Sequence, residues 1–348
     1  MPMTTDPARR TLRTAAELAA AGLVAAGDVA AVAAAGERHA VALTPAVVDL
    51  IDPADPADPN APPYVPPAAE LGGAPDDPPD PHGDQAYSPL KGVVHRYPDR
   101  VLIKPALVCP VYCRFCFRRE AVGDASATLS EAELAAALDY VAARPELREV
   151  ILTGGDPLML GPARMQALLG RLAAIGHIET VRIHTRVPVA DPERVTAALV
   201  AALRAGGPTV WLAVHVNHPR ELSPAAAQAL ARLADAGLPL VSQTVLLKGV
   251  NDDADTLAQL MRALLRHRVK PYYLHHPDLA PGTAHFRPTL AEGRALVAAL
   301  RGRLSGLAQP TYVLDIPGGA GKVPVGPDHW DQDGGRVTDW TGVRHPYP

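Results

Sequence analysis

The chain has 348 residues, with 33 Lys and Arg against 37 Asp and Glu, so its formal net charge is −4. So small a charge gives no support for binding to nucleic acid or to an anionic membrane surface. No run of about 18 apolar residues and no basic-then-apolar leader is visible, which predicts a cytoplasmic protein of one large or two modest domains.

The first ninety residues contain two kinds of sequence. From about Thr11 to Arg38 the chain is rich in Ala, with apolar residues at helical spacing, which predicts one or two helices. Asp52 to Pro81 is dominated by Pro, Asp and Ala. Because Pro fixes φ and removes a backbone donor, this stretch is expected to be an extended, irregular arm. Its length indicates that it wraps over another surface. We assign residues 1–90 to this N-terminal helical and Pro-rich arm.

Beyond the arm, apolar runs alternate with amphipathic stretches. The apolar runs predict six buried strands, at Val101–Ile103, Glu149–Leu152, Val181–His184, Thr209–Val216, Leu240–Leu246 and Pro271–Leu274. The amphipathic stretches predict helices, among them Glu131–Ala143, Arg164–Ala174, Pro192–Ala205 and Pro224–Ala236. Such alternation indicates βα units and a parallel sheet. Ligands of these folds gather at the carboxyl ends of the strands, so functional residues are expected just after each apolar run.

All three cysteines of the chain lie in one short segment, as Cys109, Cys113 and Cys116. Three thiolates this close can bind three irons of a [4Fe–4S] cluster, which leaves the fourth iron open to a substrate or cofactor. A zinc site of four cysteines is excluded, whereas three cysteines and a histidine are not. The odd count and the lack of a secretory signal disfavour disulfides.

Polar residues follow several predicted strands. Gly154-Gly155-Asp156-Pro157 alone would be an ordinary turn, but one strand after the cysteines it indicates a ligand-binding loop. His215 and His218 lack a supporting carboxylate at ligand spacing, which argues against a metal site there. Gln243 is a polar residue inside an apolar strand. Its amide needs a partner, which could be a ligand or neighbouring backbone.

A glycine-rich segment near the C-terminus, Pro317-Gly-Gly-Ala-Gly-Lys322, ends in a lysine. It is not a nucleotide P-loop, because Val323 follows the lysine where that motif has Ser or Thr. A lysine after a flexible turn suits a Schiff base with pyridoxal phosphate (PLP). Taken alone, the segment would indicate only a solvated lysine.

These segments together resemble a known family. The three-cysteine segment, followed by aromatic and basic residues, resembles the radical S-adenosylmethionine (SAM) superfamily. In the order seen in the lysine 2,3-aminomutase family, over roughly residues 45 to 326, the chain carries Pro81–Pro89, His95–Arg100, Cys109–Arg119, Gly154–Pro157, His215–Pro219, Pro271–Tyr273 and Pro317–Lys322.

The resemblance implies a fold and a reaction. The fold is α/β, an incomplete (β/α)6 TIM-like barrel of the radical SAM type over residues 91–305, with a short C-terminal segment, 306–348, that carries the PLP lysine. The reaction converts L-lysine to β-lysine through a 5′-deoxyadenosyl radical, with a [4Fe–4S] cluster, SAM and PLP as cofactors. An external electron donor such as flavodoxin or ferredoxin and a homo-oligomer are also implied.

The resemblance also implies roles for single residues. The cluster ligands are Cys109, Cys113 and Cys116. The residues that contact SAM are Gly154, Gly155, Asp156, His215 and Gln243. PLP is held covalently by Lys322 and at its phosphate by Arg96 and Arg100. The substrate is held at its α-carboxylate by Arg118 and at its far amino group by Asp278 and Asp315.

Other functions stay open at this point. A 2,3-aminomutase could act on arginine, ornithine or glutamate, although glutamate would need basic or amide groups where Asp278 and Asp315 stand. The short chain and His275 resemble the branch that makes β-lysine for elongation factor P. A non-enzymatic iron–sulfur redox sensor would explain the cysteines but would leave Arg118 and Lys322 without a purpose.

Overall fold

The computed structural model describes residues 10–72, 77–123, 126, 128–331 and 333–347. Within these residues, nine strands form one sheet in which each strand is hydrogen-bonded to its neighbours in sequence. The strands are β1 (Val93–Tyr97), β2 (Arg100–Ala106), β3 (Glu149–Gly154), β4 (Thr180–Thr185), β5 (Thr209–His215), β6 (Leu240–Val245), β7 (Val269–His275), β8 (Thr311–Ile316) and β9 (Gly321–Pro324).

The sheet forms an incomplete barrel. Strands β2 to β8 run parallel, and β1 and β9 pair antiparallel with β2 and β8 at the two edges. The six predicted strands are β2 to β7, which confirms the predicted fold class. Strand β8 is an additional parallel strand that the sequence reading did not identify. It was missed because Asp315 interrupts an already short apolar run.

Helices connect the parallel strands and cover the outer face of the sheet. Capping boxes begin two of them, with Ser130 and Glu133 at the first and Thr289 and Glu292 at the last. The helices are α4 (Glu131–Ala142), α5 (Pro162–Ala173), α6 (Val187–Ala190), α7 (Ala197–Leu203), α8 (Pro224–Asp235), α9 (Ala254–Arg266) and α10 (Leu290–Leu300). Their Leu, Val and Ala side chains are buried against the strands, and each large one stabilises the fold by roughly 1.5–3 kcal/mol.

The N-terminal region packs on the barrel through its own small core. It contains the predicted helical stretch as α1 (Ala15–Ala20) and α2 (Val29–Arg38), followed by α3 (Pro45–Val48). The Pro-rich arm follows as a series of turns in which Asp58 and Glu70 are fully buried. Asp58 is held 2.9 Å from the guanidinium of Arg220, just beyond β5, so the arm lies against the barrel. Residues 73–76 of the arm lie outside the described part of the chain.

The C-terminal segment is partly continuous with the barrel. Strands β8 and β9 belong to the main sheet, so the boundary proposed at residue 305 falls between neighbouring elements of one sheet. In the described residues beyond them, a small sheet contains β10 (Trp330–Asp331), β11 (Arg336–Thr338) and β12 (Arg344–Pro346). No helix in the described ranges has the length and apolar character needed to cross a membrane.

Candidate active site

The loop after β2 carries the cysteines and packs tightly on the turn after β3. The backbone N–H of Gly155 donates to the carbonyl of Ala106 at 2.8 Å, and that of Asp156 donates to the carbonyl of Val108 at 2.9 Å. A Cβ on Gly155 would lie 2.4 Å from the Val108 oxygen. Glycine is therefore required here because two backbones approach too closely for any side chain.

Asp156 connects this turn to the end of β4. Its carboxylate accepts hydrogen bonds from the Leu158 N–H, the Thr185 hydroxyl, the Arg186 N–H and the Val187 N–H, at 2.7 to 3.1 Å. Burial raises the pKa of this carboxyl, and these donors oppose that effect. Both carboxylate oxygens are thus engaged in holding two strand ends together. A contact between Asp156 and SAM stays a prediction.

Arg186, at the end of β4, is a site residue to which the sequence reading gave no role. Its guanidinium lies 2.9 Å from the Cys113 sulfur, 2.9 Å from the Glu221 carboxylate and 2.6 Å from the Tyr64 hydroxyl. A buried guanidinium needs paired charge, and Glu221 together with a thiolate supplies it. Arg186 lies directly after a predicted strand, where functional residues are expected, and this position could have identified it from the sequence.

The three cysteines are half-buried, and this partial burial affects the acid–base behaviour of their thiols. Burial raises the pKa of Cys109 and Cys113, and it raises that of Cys116 to about 11. The Arg186 cation partly opposes this effect at Cys113. Thiolates at these positions therefore need a cationic partner such as iron or an arginine.

The arrangement of the sulfurs argues against one shared metal ion. Among the described residues, the group of potential ligand atoms that all lie within 4.8 Å of one another consists of His82, Asp278 and Asp315. The cysteine sulfurs do not form such a group, although thiolates on one zinc, with bonds of about 2.3 Å, would lie about 4 Å apart.

A buried ion network ties the cysteine loop to the arm. Glu70 accepts from the Arg114 guanidinium at 2.7 and 2.6 Å and also from the guanidinium of Arg119. The Arg114 N–H donates to the Pro63 carbonyl at 2.8 Å. This network was not predicted from the sequence, because Glu70 lies 44 residues before Arg114.

Lys322 lies on β9, opposite Asp315 on β8. Its amine is hydrogen-bonded to the Asp315 carboxylate and lies 3.3 Å from Nδ1 of His275, at the end of β7. Although burial opposes ionisation, His275, Lys322 and His82 hold the pKa of Asp315 well below its usual range. The predicted PLP lysine is therefore paired with one of the two predicted substrate carboxylates.

The two predicted substrate carboxylates, Asp278 and Asp315, converge with His82 from the arm. Nε2 of His82 lies 2.9 Å from the Asp278 carboxylate. The imidazole also stacks on Phe117 of the cysteine loop, with ring centroids 3.8 Å apart. The structure thus brings both predicted acids together and adds a histidine that the sequence reading did not single out.

The arm also supplies Asp84, another site residue that the sequence reading missed. Its carboxylate lies 3.4 Å from the Arg96 guanidinium, 3.6 Å from the Lys104 amine and 3.1 Å from the Arg118 guanidinium. Burial opposes ionisation, but Arg118 and Lys104 keep the pKa of Asp84 below its ordinary value. Nε of Arg96 and Nε of Arg118 are buried without a partner in the described part of the chain. Unpartnered donors at this point suit an anionic ligand.

Arg100 takes a different position from Arg96. Its guanidinium donates to Asp99 at 2.7 Å and lies 3.8 Å from the ring centroid of Tyr97. The Tyr97 hydroxyl in turn accepts a hydrogen bond from the backbone N–H of Lys322 at 2.8 Å. The predicted phosphate residue Arg100 is therefore connected to Lys322 through Tyr97, and not to Arg96.

His215, the last residue of β5, is paired with Gln243 within β6. The imidazole of His215 stacks on Phe115 of the cysteine loop, with ring centroids 5.5 Å apart. Burial lowers the pKa of His215 well below its ordinary value, so the ring is neutral. Its Nε2 is buried and has no partner among the described residues. A neutral, unpartnered ring nitrogen beside the cysteine loop suits a ligand contact.

Two family models match the chain. The model of the radical SAM superfamily matches residues 103–261, and the model described as lysine-2,3-aminomutase matches residues 297–337. The first match covers the cysteine loop and strands β3 to β6, and the second covers Asp315 and Lys322. The cysteine site and the lysine site thus each fall within a matched segment.

Curated relatives cover most of the chain. It is 42% identical over 289 residues, 83% of this chain and 70% of the relative, to L-lysine 2,3-aminomutase of Acetoanaerobium sticklandii. It is 40% identical over 293 residues, 84% of this chain and 69% of the relative, to L-lysine 2,3-aminomutase of Fusobacterium nucleatum. It is also 37% identical over 265 residues, 76% of this chain and 62% of the relative, to glutamate 2,3-aminomutase of Clostridioides difficile.

Proposed function

Since the chain belongs to the lysine 2,3-aminomutase family and is an isomerase of the radical SAM type, we propose that it converts L-lysine to β-lysine. The choice of lysine as the substrate rests on one observation. Asp278, in the loop after β7, and Asp315, on β8, converge, and the Asp315 carboxylate accepts from the amine of Lys322. A buried ammonium needs paired negative charge, and two carboxylates suit the far amino group of a diamino acid.

The cysteine loop fits an iron–sulfur cluster and SAM. Cys109, Cys113 and Cys116 would each bind one iron, and Arg186 would hold the Cys113 sulfur in place. The cluster and SAM together would supply radical chemistry for removing an unactivated hydrogen, which a protein base cannot do. Gly154, Gly155 and Asp156 would shape the pocket for its amino group, and His215 and Gln243 would contact SAM from the neighbouring strands.

The opposite side of the site fits PLP. Lys322 would bind PLP covalently, and the buried Nε of Arg96, which has no partner among the described residues, suits the phosphate. Arg100 would support the phosphate while its stacking on Tyr97 keeps it near Lys322. When bound, PLP would supply the conjugated ring needed for migration of an amino group.

The remaining residues orient the substrate and exclude water. Arg118 would bind the α-carboxylate with its planar guanidinium, and Asp278 and Asp315 would bind the far ammonium. Contacts at both ends of the substrate would hold the reacting carbon, and the hydrogen that is removed from it, in one position. This matters because a small displacement of that carbon slows the reaction strongly.

Glutamate is a poorer substrate for this pocket. Its side-chain carboxylate would lie beside the carboxylates of Asp278 and Asp315, and like charges in a partly buried site repel each other. The 37% identity to a glutamate 2,3-aminomutase therefore supports the shared chemistry and not the shared substrate.

The test is an anaerobic assay of the reconstituted protein. It contains the cluster, SAM, PLP, dithionite and L-lysine, and β-lysine is measured by mass spectrometry. Parallel assays offer arginine, ornithine and glutamate at the same concentration. We expect β-lysine to be the main product. Turnover of another amino acid instead would overturn the substrate assignment, and an intact cluster without SAM cleavage would overturn the enzyme assignment.

A further inference from the structure

His275 is the imidazole next to the Lys322 amine. Its Nδ1 lies 3.3 Å from Nζ of Lys322 and 3.8 Å from the Asp315 carboxylate. The three residues come from adjacent strands, β7, β8 and β9, and the sheet register fixes their relative positions. The proposed function gives roles to Lys322 and Asp315 but none to His275.

Lys322 must lose a proton before it can react. A lysine side chain is ordinarily an ammonium at neutral pH, and an ammonium has no lone pair with which to attack a carbonyl. Before its nitrogen can bond to the aldehyde carbon of PLP, one N–H bond must break and leave its electron pair on the nitrogen. The proton needs an acceptor within hydrogen-bond reach.

We propose that Nδ1 of His275 accepts the proton that Lys322 loses when its nitrogen bonds to PLP. This inference rests on the proposed function and assigns a catalytic residue to its loading step. The N–H electron pair becomes the lone pair of Nζ, and the proton moves to Nδ1. The Asp315 carboxylate then balances the positive imidazolium. As the carbon–nitrogen double bond forms, Nζ loses a second proton and keeps one hydrogen. That second proton and the one held on Nδ1 both move to the aldehyde oxygen, which leaves as water.

The surroundings of His275 keep it neutral and able to accept a proton. Burial and the Lys322 charge lower its pKa, and Asp315 and Asp278 oppose that shift. The titratable groups near it are Tyr273 on its own strand, Asp315 on β8, Lys322 on β9, Asp278 in the following loop, His184 on β4, His215 on β5 and His82 on the arm. Burial also lowers the pKa of His184 and His215, so they add no positive charge.

The adjacent histidine provides a matched control. His276 lies one residue further along, and its Nδ1 is 2.8 Å from the Tyr312 hydroxyl. It has the same chemistry as His275 but other partners. A His276→Gln variant therefore tests the effect of losing an imidazole at this strand end without touching Lys322.

The experiment measures covalent attachment of PLP and does not depend on turnover. Apo-protein is mixed with PLP, and the absorbance of the lysine-bound cofactor is followed by stopped flow between pH 5 and 9. Borohydride reduction and peptide mass spectrometry identify the modified lysine. We expect attachment to be about 100-fold slower in His275→Gln than in the wild type, with an unchanged final extent. His276→Gln should match the wild type.

Two further readouts separate proton transfer from a structural role. Free imidazole should restore part of the rate in His275→Ala, and the wild-type rate should fall at acidic pH as His275 becomes protonated. Equal rates in the wild type and His275→Gln would overturn this inference and leave the PLP assignment standing. Slower attachment with a lower final extent and no imidazole rescue would also overturn it. A wild-type protein that never binds PLP at Lys322 would overturn both proposals.

Discussion

The imidazole of His82, on the N-terminal arm, lies 2.9 Å from the carboxylate of Asp278, in the loop after β7. The arm therefore contributes directly to the candidate active site and does not merely cover it. Asp84, two residues later, contacts the cations on the other side of the site. A short stretch of the arm thus touches both the acidic and the basic groups proposed to bind substrate.

Loss of the Asp278 charge should weaken substrate binding. In Asp278→Asn we expect the KM for lysine to rise about 10- to 100-fold, since a hydrogen bond to a charged group is worth roughly 1.5–3 kcal/mol. Steady-state kinetics measure the change, with Asp235→Asn, an exposed surface acid, as the control. An unchanged KM would remove Asp278 from the substrate site.

Lys322→Ala should abolish rearrangement and leave the cluster intact. The substitution removes the proposed covalent attachment for PLP and changes none of the proposed cluster ligands. Iron content, covalent PLP and β-lysine formation are measured on the same preparation. Lys248→Ala, at an exposed lysine, is the control. Turnover close to that of the wild type would contradict the PLP assignment.

Gly155→Ala should disrupt the cysteine loop. The added Cβ would lie 2.4 Å from the Val108 oxygen and 2.7 Å from its nitrogen, so the loop must shift. We expect the iron bound per chain after reconstitution to fall severalfold. Gly170→Ala is the matched control, because its Cβ would meet nothing within 4 Å, and alanine favours the helix. Full iron content in Gly155→Ala would show that this close packing is not needed.

Glu70→Gln should destabilise the region around the cysteines. The substitution leaves Arg114 and Arg119 buried with no carboxylate between them, which costs about 3–5 kcal/mol when one partner of a buried pair is lost. We expect a lower Tm of the apo-protein and weaker cluster retention. Glu179→Gln, at an exposed acid, should change neither. A Tm equal to that of the wild type would mean that the two arginines find other partners.

Asp84→Asn should reduce stability in a pH-dependent way. Because Arg118 and Lys104 lower the pKa of Asp84 despite its burial, the carboxylate stabilises the folded state above the pKa of the unfolded chain. We expect the variant to lose about 2 kcal/mol between pH 5 and 7, a value reduced for partial exposure of the cations. The difference from the wild type should shrink below about pH 4. Urea unfolding at several pH values checks this, and a difference independent of pH would contradict it.

The sequence by itself determined the features that rest on local pattern. The spacing of Cys109, Cys113 and Cys116 indicated a cluster, and the alternation of apolar and amphipathic stretches indicated the parallel sheet. The resemblance that joined these segments to Lys322, Asp278 and Asp315 was confirmed at the level of the family by the comparisons. All of these signals lie within short segments that a reader of the sequence sees directly.

Only the tertiary structure decided which charges face each other. Glu70 lies between two arginines of the cysteine loop, Arg186 contacts Cys113 from 73 residues away, and His82 and Asp84 reach the site from the arm. A charged residue has the same appearance in a sequence whether it is solvated or buried. Its partner is set by long-range packing, because removing a charge from water is tolerated only where the fold brings a counter-charge to it.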